Sequence, residues 1–249
     1  MPRHDKRNYD QPRPIEIEVG FQRNAEGSVL YRAGKTVVLC TASLDSDVPK
    51  WMAEKQTGWL TAEYQMHPRA NPKRREKREG RDGRLGGRTQ EIQRLIGRSL
   101  RAAVDLKALG PRTITLDCDV LEADGGTRTA SITAGFIATA MALYKQGLAR
   151  VLRDQVAAIS IGLVRNEVCV DLDYIEDSGA QVDMNVVATA GQRLIEVQGT
   201  SEGEAIERPQ FEALLDAALG TMEHLCTKQR EALEAADMSL APLLQSKTD

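Results

Sequence analysis

Three short stretches of this chain hold residue types suited to phosphate and to the charge that moves with it. In Asp124-Gly125-Gly126-Thr127-Arg128-Thr129, a glycine turn joins an expected strand to an expected helix. Glycine lets backbone approach a ligand, a helix start offers unpaired N–H groups, and Thr127 and Arg128 add a hydroxyl and a fork of donors. That set makes an oxyanion cradle; the plain alternative is a turn and nothing more. Gly86-Gly87-Arg88-Thr89 is a second glycine approach to a helix start and brings a second arginine. Two arginines beside two helix starts suit a free phosphate ion, whereas in the plain reading Arg88 only closes a basic loop. The third stretch is acidic: Asp171, Asp173, Glu176, Asp177 and Asp183 fall within thirteen positions. Such a group repels itself unless it is solvated, protonated or neutralised by a cation. Carboxylate oxygens suit Mg²⁺ or Mn²⁺, and magnesium usually takes one or two protein carboxylates and keeps several waters. Asp177 and Asp183 are the candidate pair, set against the alternative of a solvated acidic turn.

The elements that have to position these residues can be read from hydrophobic period. Ile15 to Val19, Ser28 to Tyr31 and Thr36 to Ala42 read as a meander of strands with turns at Gly27 and Gly34. The pattern disappears after Trp59 into a stretch with Pro68, Pro72, Gly80, Gly83, Gly86 and Gly87, so 68–87 is expected to be a long, mobile loop. An amphipathic helix is expected from Thr89 to Leu109, stopped by Gly110-Pro111, and a strictly alternating strand from Thr113 to Val120. A helix of small residues follows from about Thr129 to Tyr144. Val156 to Val164 and Val168 to Tyr174 read as a hairpin, Met184 to Thr189 and Arg193 to Val197 as strands, and a last helix begins near Pro209. Strands followed by helices, twice over, predict an α+β fold: mixed sheets covered by helices, in two similar halves of one domain spanning 1–249. The ends, 1–12 and 237–249, are expected to be loose tails.

Composition sets bounds. The chain has 249 residues, 41% hydrophobic and 28% charged, the balance of a soluble globular protein. No stretch approaches the roughly 20 apolar residues that span a bilayer, and the polar start does not resemble a signal peptide, so no membrane role is expected. Cys40, Cys118, Cys169 and Cys226 are far apart among apolar residues and read as reduced core thiols of a cytoplasmic protein. The three histidines, His4, His67 and His224, are too scattered for a Ser-His-Asp or Cys-His set. A GxxxxGK[ST] loop and a suitably placed GxGxxG are both absent, which excludes ordinary P-loop NTPases and dinucleotide enzymes.

The net charge of −3 is unevenly spread. From Arg69 to Arg88 nine basic residues face only Glu76, Glu79 and Asp82, a window of +6 that leaves −9 elsewhere. A concentrated basic segment on an acidic chain reads as a dedicated polyanion contact, or else as a solvated charged loop.

Several long motifs in order resemble the bacterial ribonuclease PH family of tRNA nucleotidyltransferases, nearly end to end. They are GWLTAEY from Gly58, GGRTQEIQRLIGRSLRA from Gly86, CDVLEADGGTRTASIT from Cys118, DLDYIEDSGAQVDMNVV from Asp171 and IEVQGTSEG from Ile195. The resemblance implies a ribonuclease PH-like fold and phosphorolytic 3′-to-5′ trimming of tRNA precursors and other RNA 3′ ends, reversibly releasing nucleoside 5′-diphosphates. It implies that Arg88, Gly126, Thr127 and Arg128 hold inorganic phosphate as co-substrate, and that Asp177 and Asp183 bind Mg²⁺ or Mn²⁺ or otherwise assist catalysis. It also implies a homohexameric ring, a trimer of dimers, with RNA met by the basic loop; Arg69, Lys73, Arg74, Arg75, Lys77 and Arg78 are the candidates. The chain departs from the family pattern at His67, Asn71 and Glu122, none of them a phosphate or metal position. Two rival readings are a non-catalytic RNA-binding ring subunit and a hydrolytic ribonuclease; the first lacks reason to keep both sets of site residues, and water needs no anion cradle.

Overall fold

The structure, a computed structural model, describes residues 3–79 and 84–246. Its first half is a five-stranded sheet. β1 (Ile15–Val19), β2 (Gly27–Ala33) and β3 (Thr36–Asp45) form the expected antiparallel meander. Beside β3 lies β5 (Thr113–Glu122), antiparallel, and beside β5 lies β4 (Trp59–Met66), parallel, giving the order β1-β2-β3-β5-β4. A parallel neighbour needs a crossover, supplied here by α1 (Gly87–Ala103) and α2 (Leu106–Leu109). The second half is an antiparallel sheet ordered β7-β6-β8-β9, from β6 (Val156–Val164), β7 (Glu167–Val170), β8 (Val182–Thr189) and β9 (Leu194–Ser201). A helical turn, α4 (Tyr174–Asp177), lies between β7 and β8.

One helix joins the halves. α3 (Thr127–Lys145) is buried from Thr129 to Leu143 and packs on β2 and β3 on one side and on β6 on the other. Its small residues permit that approach: a Cβ added at Gly27 of β2 would fall 1.8 Å from the Ala138 carbonyl oxygen. Thr133 of α3 exchanges hydrogen bonds with the Ala158 backbone of β6, at 3.1 and 3.2 Å. α5 (Arg208–Glu234) covers the second sheet, and its buried Gln229 donates to the carbonyls of Thr133 and Val156, tying three elements together. The architecture is the expected α+β fold of sheets covered by helices.

Four local readings differ from the structure. The stretch after Trp59 is the edge strand β4, whose Leu60, Ala62 and Tyr64 are buried in alternation against α1. The helix expected through Leu109 ends at Ala103, because Val104 turns extended to bridge Leu152; Asp105 then caps α2 through the Lys107 and Ala108 N–H groups. The strand expected through Tyr174 stops at Val170. Asp171 turns the chain at φ 56°, and Asp173 with Glu176 forms a capping box that starts α4 instead. Finally, the described parts of both ends are docked. Arg3 is buried against Glu176, and Met238, Leu240 and Leu243 are buried in the core of the first half. Positions 1–2 and 247–249 lie outside the described residues, as do Gly80, Arg81 and Gly83 of the expected basic loop.

Candidate active site

A cavity of about 260 Å³ opens where the two halves meet, and its walls bring together the candidate residues from both. From the first half come Arg88 and the turn Gly125-Gly126-Thr127-Arg128; from the second come Asp177 and Asp183. Arg88 is the second residue of α1, and Thr127 and Arg128 open α3. Both helices start on a glycine N-cap, Gly86 and Gly126, with no side chain capping the first turn among the described residues. Such helix starts leave N–H groups free to meet an anion. The backbone needs its glycines here: Gly125 and Gly126 sit at φ 79° and 62°, and a Cβ at Gly125 would fall 2.4 Å from the Leu172 carbonyl oxygen.

Tyr64, at the inner end of β4, holds the cradle in place. Its hydroxyl lies 2.9 Å from Thr127 Oγ1. Burial raises the Tyr64 phenol above its ordinary range, opposed by the Thr127 hydrogen bond and by the nearby charges of Arg88 and Arg128, so it stays neutral. Arg128 reaches toward β9, with Nη1 3.3 Å from Gln198 Oε1.

The acidic run divides into two sets. Asp171 is buried and bound to Arg13; burial alone would raise its pKa, but the Arg13 hydrogen bonds and charge hold it below the ordinary carboxylate value. Asp173 caps α4 and contacts His4 Nε2 at 2.5 Å. Glu176 receives two hydrogen bonds from Arg3, at 2.6 and 2.7 Å. Structural partners thus absorb three carboxylates, and Asp177 and Asp183 alone of the five line the cavity. Both are pushed up. At Asp177 desolvation at the cavity wall outweighs Arg88 and Arg128. At Asp183 burial, then repulsion from Asp177, raises the pKa to about 6. A cation between two such carboxylates would relieve both effects. Among the described residues no set of three or more His, Cys, Asp or Glu side chains is placed to hold a metal. A pair of carboxylates on one cavity wall suits Mg²⁺ or Mn²⁺, which take one or two protein carboxylates and keep waters, better than a closed zinc site.

Of the basic-loop candidates, Arg74 lines the cavity, paired with Glu76 at 2.7 Å, and Lys73 stands 4.8 Å over the Tyr174 ring, which also lines it. Arg69, Arg75, Lys77 and Arg78 are exposed outside it. The root of the loop is fixed by buried Ala70, whose carbonyl accepts from the Ala123 N–H at 3.0 Å. The sequence reading did not single out Ser160, Tyr174 or Asn185 as wall residues. Period-2 alternation places Asn185 beside Asp183 on one face of β8, opposite Ser160 of β6. That signal existed, but it could not be aimed without the cross-strand register.

Comparison with known proteins agrees in both halves. Residues 11–145 match the family model described as 3′ exoribonuclease family, domain 1, and residues 154–221 match domain 2 of the same family. The break between them is the link from α3 to β6. A protein named ribonuclease PH from Mycolicibacterium smegmatis is 51% identical over 246 residues, covering 96% of this chain and 95% of the relative. One of the same name from Rhodopirellula baltica is 53% identical over 219 residues, covering 84% and 88%. Among solved structures, rice (Oryza sativa) Rrp46 superposes with a TM-score of 0.75 at 18% identity, covering 92% of this chain and 98% of that one. An Archaeoglobus fulgidus exosome with RNA bound to the active site gives a TM-score of 0.76 at 23% identity, covering 91% and 92%. At those identities the structural likeness speaks to the fold alone.

Proposed function

This chain belongs to the ribonuclease PH family of 3′ exoribonucleases, and we propose that the cavity between its halves is where inorganic phosphate attacks the RNA end. The protein is a phosphorolytic 3′-to-5′ exoribonuclease of tRNA processing. The observation that supports the site assignment is the meeting of two arginines from two uncapped helix starts with two aspartates from the other half, in one cavity.

Phosphate rests on Arg88, Arg128, the Thr127 hydroxyl and the N–H groups after Gly126. One of its oxygens forms a bond to the phosphorus of the last linkage while the bond to the 3′-oxygen of the preceding nucleotide breaks. That oxygen takes up a proton, and a nucleoside 5′-diphosphate departs. The two arginines orient the attacking anion and offset charge on the equatorial oxygens, the main contribution a protein makes to phosphoryl transfer. When bound, Mg²⁺ or Mn²⁺ held by Asp177 and Asp183 supplies Lewis-acid stabilisation of charge on the scissile phosphate. Because a phosphoanhydride-containing product replaces a phosphodiester, the step runs back readily to extend RNA. Lys73 and Arg74 at the mouth carry the RNA backbone, whose phosphate contacts hold no base information.

No helix among the described residues is long and apolar enough to cross a membrane. All four cysteines are free thiols, which supports a reducing, cytoplasmic setting. We read the working assembly as a homohexameric ring, tested by light scattering. The deciding assay for function incubates the protein with RNA and Mg²⁺, with and without phosphate. Phosphate-dependent nucleoside diphosphates are expected; monophosphates would mean hydrolysis, and no product would mean a binding subunit.

A further inference from the structure

We propose that Arg13 is a positioning residue for phosphorolysis, whose buried guanidinium fixes the phosphate cradle and the aspartate pair relative to each other. The inference rests on the phosphate site assigned above. The cradle turn follows β5 in the first half, and the acidic turn follows β7 in the second, so nothing short in the chain connects them. They touch through backbone at Gly125, which packs on Leu172 and Asp173. Among the described residues Arg13 is the side chain outside both turns that donates to each, and the Asp124 carboxylate adds an acceptor for the Tyr174 N–H at 3.4 Å.

Its contacts account for every N–H of the guanidinium. On the cradle side, Nη1 donates to the Asp124 carbonyl at 2.5 Å and to Thr36 Oγ1 at 3.4 Å, and Nη2 faces the Gly125 carbonyl at 3.5 Å. On the acidic side, Nε and Nη2 donate to the two oxygens of Asp171, at 2.9 and 2.7 Å, and the Arg13 backbone N–H adds a third bond at 2.8 Å. Thr36 completes the clasp: its hydroxyl donates to the Gly125 carbonyl at 2.7 Å and accepts from the Asp124 N–H at 3.0 Å. Arg13 stands directly behind the cradle, since a methyl group added at Gly126 would come within 3.0 Å of Nη2. The residue is 5% exposed, so it has no route to substrate and acts through what it holds.

Each end of the clasp leads to a reacting group. Asp124 and Gly125 precede the Gly126 N-cap and Thr127, so the carbonyls that Arg13 grips set the direction of the free N–H groups of α3. Asp171 begins the turn in which Asp173 caps α4, and α4 ends on Asp177. A shift of Arg13 therefore alters the gap between the nucleophile's seat and the carboxylates opposite. Lysine cannot substitute: its three donors radiate from one atom on a flexible stem, whereas this site uses a planar fork with acceptors on both edges.

The test is steady-state phosphorolysis of a short oligoribonucleotide by the full-length Arg13→Lys protein, varying phosphate and RNA separately, with a thermal melt to verify folding. Displacement at a reacting centre costs on the order of 10- to 100-fold in rate, so kcat/KM for phosphate is expected to fall by about that much while KM for RNA stays within about twofold. A second variant, Arg13→Gly, is expected to regain phosphate affinity when guanidinium chloride is added at millimolar level, because the ion refills the same slot. An unchanged kcat/KM for phosphate in folded Arg13→Lys, an equal rise in both KM values, or a loss confined to the unfolded fraction would overturn the proposal. Failure of the functional reading itself is separate: it would appear as phosphate-independent products from the unaltered protein.

Discussion

Replacing Asp183 with asparagine is expected to make the metal-free protein more stable at neutral pH while abolishing turnover. The carboxylate is half-buried beside Asp177, and its pKa in the folded chain is about 6 against an ordinary 3.8. A folded-state value above the unfolded one means that the folded chain holds the proton more tightly. The charge on Asp183 therefore costs nothing below about pH 4, and its cost grows as pH rises from 3.8 to 6 and is complete above that. At ~1.4 kcal/mol per tenfold change in proton affinity, the raw figure is about 3 kcal/mol. The group is only partly buried, so screening reduces it to about 1–2 kcal/mol. Asparagine keeps the shape and removes the charge, which corresponds to a melting temperature ~2–8 °C higher at pH 7 for a chain of this size.

The assay is a pair of thermal melts in chelator, at pH 7 and at pH 4.5, repeated at pH 7 with millimolar Mg²⁺. The variant is expected to melt higher than the unaltered protein at pH 7, with the gap shrinking at pH 4.5. Mg²⁺ is expected to raise the melting temperature of the unaltered protein alone. By the same linkage, Mg²⁺ affinity of the unaltered protein falls below about pH 6 as the cation has to displace a proton. A variant no more stable than the parent at pH 7, or an equal Mg²⁺ effect on both proteins, would refute the electrostatic account of the pair.

Arg128→Ala removes one fork of the cradle and is expected to raise KM for phosphate by at least tenfold with RNA binding nearly intact; simultaneous loss of both in a filter-binding and kinetic assay would contradict its role. Gly125→Ala forces a Cβ to 2.4 Å from the Leu172 carbonyl at φ 79° and is expected to cost more than 2 kcal/mol by urea unfolding. A stable, active alanine variant would show that the two turns need not touch. Changing Lys73 and Arg74 together to alanine is expected to weaken tRNA binding and lower the slope of log affinity against log salt by about 1–2; an unchanged slope would move the RNA contact elsewhere.

How far the site could be read from sequence depended on what each residue's evidence was. Arg88, Gly126, Thr127 and Arg128 were legible because glycine turns into helices are local features, and the structure places them on one cavity wall. The choice among the five carboxylates drew on family resemblance, since spacing alone could not show that Arg13 and Arg3 take Asp171 and Glu176. Those arginines lie 158 and 173 positions away, and long-range ion pairs leave no trace in a local pattern. For the same reason the N-terminal segment read as a loose tail: it is polar, and its polarity is spent on buried partners. The β4 edge strand was written in the letters, since Thr61, Glu63 and Gln65 alternate with Leu60, Ala62 and Tyr64, but the proline- and glycine-rich stretch that follows drew the whole region into the expected loop. The capping box at Asp173 was present in the letters, but a preceding apolar run favoured extending the strand instead.

The partition of charge also supports the cation proposed for the aspartate side of the cavity. Arg13 with Asp171, Arg3 with Glu176 and Arg74 with Glu76 are paired off, leaving Arg88 and Arg128 facing Asp177 and Asp183. Above about pH 6 that quartet is formally neutral, with its positive half on the helix starts of the first half of the chain and its negative half on the second. Phosphate brings a charge of about −1.5 to −2 at pH 7, and the scissile linkage brings one more. With the attacking ion on the arginines, as proposed, their charge is used up, so the RNA linkage then meets two carboxylates that repel it. Without a counter-ion the second substrate is excluded by the same aspartates that line its seat. A divalent cation cancels the charge of that wall, and this predicts an order of dependence: RNA end binding in the cavity requires the cation, whereas phosphate binding to the arginines does not.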